Sequence, residues 1–133
     1  MKSLNLVMLT CLMLGANSSQ ASLVGDMMNE FKQQGVETAN PAAGATFWQK
    51  EFVDQKFGDV RACKSCHGTD LRKSGKHVRT EKVIKPMAVS INTDRLTDRK
   101  KVNKWFKRNC KWTLGRECTA QEKADVMVYI SKE

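Results

Sequence analysis

The chain has 133 residues, 41% of them hydrophobic, and carries 23 Lys and Arg against 14 Asp and Glu, a formal net charge of +9. That length holds one core and excludes a second domain. Such a basic chain raises nucleic-acid binding as a function, but its cations are scattered and its first residues read as an export signal. No nucleic-acid partner is therefore expected, and the charge reads as a solubilising surface or as a face that steers an acidic partner.

Lys2 precedes an apolar run over residues 4–14, interrupted only by Asn5, Thr10 and Cys11. A polar stretch over 17–21 follows, with Ser19 and Ala21 as small residues in the cleavage positions. The run is about half the roughly 20 residues of a membrane-spanning helix. Residues 1–21 thus read as a cleaved signal peptide and 22–133 as the exported, periplasmic domain. Cleavage leaves 112 residues, a charge of +8 and four cysteines, Cys63, Cys66, Cys110 and Cys118, an even set suited to covalent roles.

In chain order, Leu23, Val24, Met27, Met28 and Phe31 are spaced for a helix over 23–34 that Gly35 stops, an N-terminal helix outside the cofactor-binding core. Pro41 suits the first position of a second helix running through Gly44, Phe47, Trp48 and Phe52. Gly58 and Asp59 break that pattern. Residues 68–92 are charged and aperiodic, as for a chain wrapped round a flat cofactor. Thr97 or Asp98 caps a third helix with Val102, Trp105, Phe106 and Asn109 on one face. Thr119 and Glu122 form a capping box for the last helix, whose apolar face is Ala124, Met127, Val128 and Tyr129. No strand pair or repeat is visible, so the expected fold class is all-α. So small a core needs a covalent staple or a large apolar cofactor.

Residues 63–67, Cys-Lys-Ser-Cys-His, carry the most specific chemistry. In a C-x-x-C-H run the two thiols add across the vinyl groups of one porphyrin edge, and the next imidazole reaches the iron. A thioredoxin-like pair would sit in an α/β pattern that is absent here, and export together with the adjacent His disfavours zinc shared with Cys110 and Cys118. The expected cofactor is one covalent haem c, held by Cys63 and Cys66 with His67 as proximal iron ligand. Cys110 and Cys118 close a short loop and in an oxidising compartment form a disulfide.

For the sixth iron ligand the residues alone leave alternatives. Met87 follows Pro86 and would give an ordinary electron-transfer site. His77 would give a bis-imidazole site, although it lies in a charged run where a solvated ring is the plain reading. Asn109 shares an apolar helix face and needs a partner there, or serves as a helix C-cap. Water is the fourth option. On this basis Met87 and Asn109 rank equally.

The segment 102–129, with Trp105, Arg108-Asn109-Cys110, Gly115-Arg116-Glu117-Cys118-Thr119 and Glu122-Lys123-Ala124-Asp125, resembles the sphaeroides haem protein family of monohaem cytochromes c. The resemblance extends through residues 63–68 and Ile84-Lys85-Pro86, and Met87 stands where another apolar residue is expected. It implies a class I cytochrome c-like fold with Asn109 as distal ligand, binding of small diatomic molecules such as O2 or NO once reduced, and electron exchange with a c-type or membrane cytochrome. Gly44 and Trp48 are similar to the Gly and aromatic of a class I first helix, which cross the last helix near Tyr129. An amide oxygen is a hard, weak donor that suits ferric better than ferrous iron, so Asn109 would leave on reduction. The expected protein is then a monomeric electron carrier that binds a gas, not primarily an enzyme. The alternative is a plain shuttle with Met87 or His77 on the iron. Reduction of oxygen or peroxide is a third reading, with His77 the only candidate acid–base group.

Overall fold

The computed structural model describes residues 18–133. The apolar run of the expected signal lies outside them, while Ala21 falls in the first turn of the first helix. The elements are α1 (Ser18–Gln33), α2 (Pro41–Gln49), β1 (Phe52–Val53), β2 (Val60–Arg61), α3 (Cys63–His67), β3 (Gly75–Lys76), β4 (Val83–Ile84), α4 (Arg99–Leu114) and α5 (Ala120–Lys132). Helices dominate. The expectation of no strand pair is corrected by two antiparallel ribbons, β1–β2 with Phe52 opposite Arg61 and β3–β4 with Gly75 opposite Ile84. Two-residue strands are too short to produce a period-2 pattern, which is why the sequence does not announce them.

The core forms where α1, α2 and α5 meet. Asn40 caps α2 by accepting from the N–H groups of Ala42 and Ala43, with Pro41 at the first helical position. Its own N–H donates to Asp125 Oδ1 on α5 at 2.7 Å. Gly44 then lets the two backbones touch: a Cβ there would lie 2.2 Å from the Asp125 carbonyl oxygen and 2.8 Å from Tyr129 Cβ. Trp48, one turn on, packs edge-to-face on Tyr129 with ring centroids 6.1 Å apart. The crossing expected from Gly44, Trp48 and Tyr129 is thus present. From α1, Leu23, Met27 and Phe31 are buried against the same core as Met127 and Ile130 of α5, each contributing about 1.5–3 kcal/mol of apolar burial.

Helix α4 begins at one of its two expected caps and runs on beyond its expected end. Asp98, not Thr97, is the cap, accepting from the Lys101 N–H. The helix runs past Asn109 to Leu114 and stops at Gly115, which takes the left-handed conformation with φ 73°. Cys110 therefore lies inside the helix, joined to Cys118 with Cα atoms 5.5 Å apart. The second expected helix is shorter than the pattern suggests, ending at Gln49 so that Phe52 belongs to β1. A buried cation, unsignalled by any spacing, locks the β1–β2 ribbon to α4: Arg61 pairs with Asp54 at 2.6 Å and Asp59 at 2.8 Å. It also donates to the Trp112 carbonyl at 2.9 Å and lies 4.9 Å from the Trp112 ring centroid.

Candidate functional site

The five-residue helix α3 carries Cys63, Cys66 and His67 on a single turn. Three contacts fix it. Trp48 Nε1 donates to the Gly68 carbonyl at 2.9 Å and its ring lies 5.3 Å from the imidazole of His67. The Ser65 hydroxyl accepts from the Ala62 N–H at the helix start. The β3–β4 ribbon closes over it at Gly75, where a Cβ would come 2.1 Å from the Cys66 carbonyl oxygen.

Beside α3 opens a cavity of about 830 Å³, within the roughly 300–1,000 Å³ range of cofactor and ligand sites. Cys63, Cys66 and His67 line it, and so do His77 and Met87 from the segment after α3. Helix α4 supplies a separate wall with Val102, Trp105, Phe106 and Asn109, which share one helical face. Every ligand candidate in the sequence therefore reaches the same space. Asn109 lies inside α4, which runs on to Leu114, and so has no capping role.

His77 is engaged through Nδ1, which accepts from the N–H groups of Arg79 and Thr80, each at 3.2 Å. Met87 belongs to a braced strip: its N–H and that of Ala88 both donate to the Leu71 carbonyl at 2.9 Å. Arg95 donates to the Lys85 and Pro86 carbonyls at 2.7 and 3.0 Å, and Asn92 Nδ2 donates to Pro86 at 3.1 Å. The sequence reading missed Arg61, Asn92 and Arg95. Their partners are backbone carbonyls that leave no trace in spacing, apart from Asp54 and Asp59 shortly before Arg61.

The residues fit a covalently attached haem. The cysteines of α3 are free thiols, whereas Cys110 and Cys118 are consumed in their disulfide and leave no four-cysteine metal set. Burial, reinforced by the neighbouring Cys66, pushes the Cys63 thiol up to about 11, the opposite of a reactive redox pair. Burial first, and the Arg95 charge second, bring the His67 imidazole down to about 4, so it presents a neutral ring at physiological pH. His67 Nδ1 is buried with no hydrogen-bond partner among the described residues. A flat apolar group lying against α3 and the aromatic face of α4 accounts for the cavity.

Comparison with known proteins agrees. Residues 34–130 match a family model described as a domain of unknown function, DUF1924. The cytochrome c-type protein SHP of Cereibacter sphaeroides is 36% identical over 92% of this chain and 97% of its own. Cytochrome c'' of Methylophilus methylotrophus is 39% identical over 63% of this chain and 61% of its own. Among solved structures, oxidised cytochrome c'' superposes with a TM-score of 0.76 at 31% identity, over 89% of this chain and 97% of that one. Oxidised SHP, described as an oxygen-binding cytochrome c, superposes with a TM-score of 0.73 at 30% identity, over 89% of this chain and all of that one. No helix among the described residues is long and apolar enough to cross a membrane. Matched over nearly its whole length in sequence and in fold, the chain belongs to the SHP family of monohaem c-type cytochromes, with one covalently bound haem c as its cofactor.

Proposed function

We propose that this is an exported, periplasmic electron-transfer cytochrome, monomeric, whose haem is attached through Cys63 and Cys66 and ligated by His67 and Asn109. In this reading Asn109 dissociates on reduction, and O2 or NO takes its place. Residues 1–21 are its cleaved signal and a c-type or membrane cytochrome is its redox partner. The bound haem supplies a one-electron iron couple and, when reduced, affinity for neutral diatomic molecules.

The observation that carries the reading is the placement of Asn109 on the cavity face of α4 with a further turn of helix beyond it. Its amide is thereby excused from capping and turned to the cavity. A neutral amide oxygen is a weak, hard donor, adequate for ferric iron and poor for the softer ferrous ion. Once released, its N–H can donate to a bound ligand's oxygen.

The rivals are less well placed. With Nδ1 accepting two backbone N–H bonds, a proton of the His77 ring belongs on Nε2, which then offers no lone pair there. Met87 sits on a strip fixed through its own N–H to the Leu71 carbonyl and through Pro86 to Arg95 and Asn92. The SHP relative's description as oxygen-binding supports gas uptake, and the solution study of cytochrome c'' concerns haem-ligand detachment in that protein.

The test is the visible spectrum of oxidised and reduced holoprotein beside Asn109→Ala, with carbon monoxide added to the reduced forms. The expected result is a high-spin reduced spectrum that takes up carbon monoxide, and an oxidised spectrum altered by the substitution. Low-spin spectra in both states, unchanged in the variant and inert to carbon monoxide, would move the ligand to Met87 or His77 and leave a plain electron shuttle.

A further inference from the structure

Arg61 ends the β1–β2 ribbon two residues before Cys63, and its side chain is buried. Its Nε and Nη2 grip the Asp59 carboxylate at 2.8 and 3.0 Å. Nη1 pairs with Asp54 at 2.6 Å and donates to the Trp112 carbonyl at 2.9 Å, with the Trp112 ring against the same cation. Trp112 follows Asn109 by three residues and so stands on the next turn of α4. On the other side there is little slack between Arg61 and α3. Ala62, the one residue between Arg61 and Cys63, is buried, is the N-cap of α3 and donates its N–H to the Ser65 hydroxyl. Arg99 ties the start of α4 to α1, and the disulfide ties Cys110 to the approach to α5. Arg61 ties the last turns of α4 to the segment that leads into the haem-attachment helix. Neither Arg61 nor its two aspartates line the cavity, whereas Ala62, Cys63, Asn109 and Trp112 do.

We infer that Arg61 is a positioning residue for Asn109: by clamping the segment before Cys63 to α4, it fixes the span between the haem's attachment and the distal amide. The inference rests on Asn109 being the distal ligand. An amide oxygen is a weak donor, so its hold on ferric iron depends on being kept within reach in the right orientation. A strong ligand would tolerate a loose wall, but an amide has no such margin. Slackening the clamp therefore opens the sixth position in the oxidised protein too, and blunts its dependence on reduction.

The measurements are the visible spectrum of the oxidised holoprotein and its affinity for added imidazole, which must displace Asn109 to bind. Arg61→Lys keeps a cation but loses the planar fork that serves several partners at once. Asp59→Asn, at a half-exposed site, weakens the grip while leaving Arg61 in place. Both are expected to raise the high-spin fraction and to bind imidazole several-fold more tightly than the wild type. In an Asn109→Ala background, with no amide left to place, either substitution is expected to add nothing, which a double-mutant cycle reads directly. If both variants keep the wild-type spectrum and affinity, or if they shift Asn109→Ala as much as they shift the wild type, the clamp serves stability alone or the pocket at large, and the inference is overturned. Wild-type spectrum and affinity in Asn109→Ala would instead defeat Asn109 as the ligand and the inference with it, a different failure. Near-ultraviolet circular dichroism identifies a variant that has lost its packing; should Arg61→Lys do so, Asp59→Asn in the two backgrounds decides between the outcomes.

Discussion

At the N-terminus of α5, Thr119 and Glu122 satisfy each other's backbone N–H groups, and Arg116 clasps the same carboxylate through two nitrogens. The hydrogen bonds from Arg116, followed by those around Thr119, hold the Glu122 carboxyl below the usual carboxylate range. A carboxyl depressed in the folded state contributes stability that is complete above its unfolded value of about 4.3 and is lost as pH falls through the lower folded value. Glu122→Gln is therefore expected to cost about 0.5–1 kcal/mol at pH 7, the loss shrinking towards zero in strong acid, as followed by urea denaturation across pH. This cap was legible in the sequence because Thr and Glu three apart before an apolar run carry their own meaning. The cysteines and histidine of residues 63–67 were legible for the same reason. Arg61 and Arg95 were not, since an arginine that serves backbone carbonyls looks like any other surface cation until the chain folds.

Among elements, the α2–α5 crossing is held most closely at one residue. Alanine at position 44 would place its methyl carbon 2.2 Å from a backbone oxygen that belongs to a helix and cannot yield alone. Gly44→Ala is expected to destabilise the protein by about 1–3 kcal/mol, visible as a lower thermal midpoint, despite the better helix propensity of alanine. The helices themselves could be read from apolar spacing and caps. The end of α4 could not be, because Asn109 and Gly115 are both acceptable stops and only packing selects the second. That one extra turn changes the meaning of Asn109, from the last residue of a helix to a side chain on a wall.

For the molecule as a whole, the balance of +9 is unevenly committed. Arg99 is bound to Asp26 and Glu30 of α1, tying α4 to the N-terminal helix, whereas Lys100, Lys104 and Lys107 project into solvent. In the proposed function these three would form the contact for an acidic electron donor. Reversing them to glutamate is expected to slow electron exchange with such a donor several-fold at low salt and to abolish its dependence on ionic strength, by stopped-flow measurement. Rates that match the wild type at every salt concentration would retire the docking face. The large cavity also explains why the core residues alone were an incomplete guide to the fold. Much of the interior is built to receive a group the sequence encodes only through its attachment points.

Helix α4 is fastened at three places: by Arg99 to α1, by Arg61 beneath Trp112, and by the Cys110–Cys118 bridge. A rod pinned at its start, near its end and in between has little freedom to slide or tilt. Whatever Asn109 does must then be done by turning about its own side-chain bonds, not by the slower motion of a shifting helix. In the proposed reading, Asn109 would then leave and return without the helix having to move.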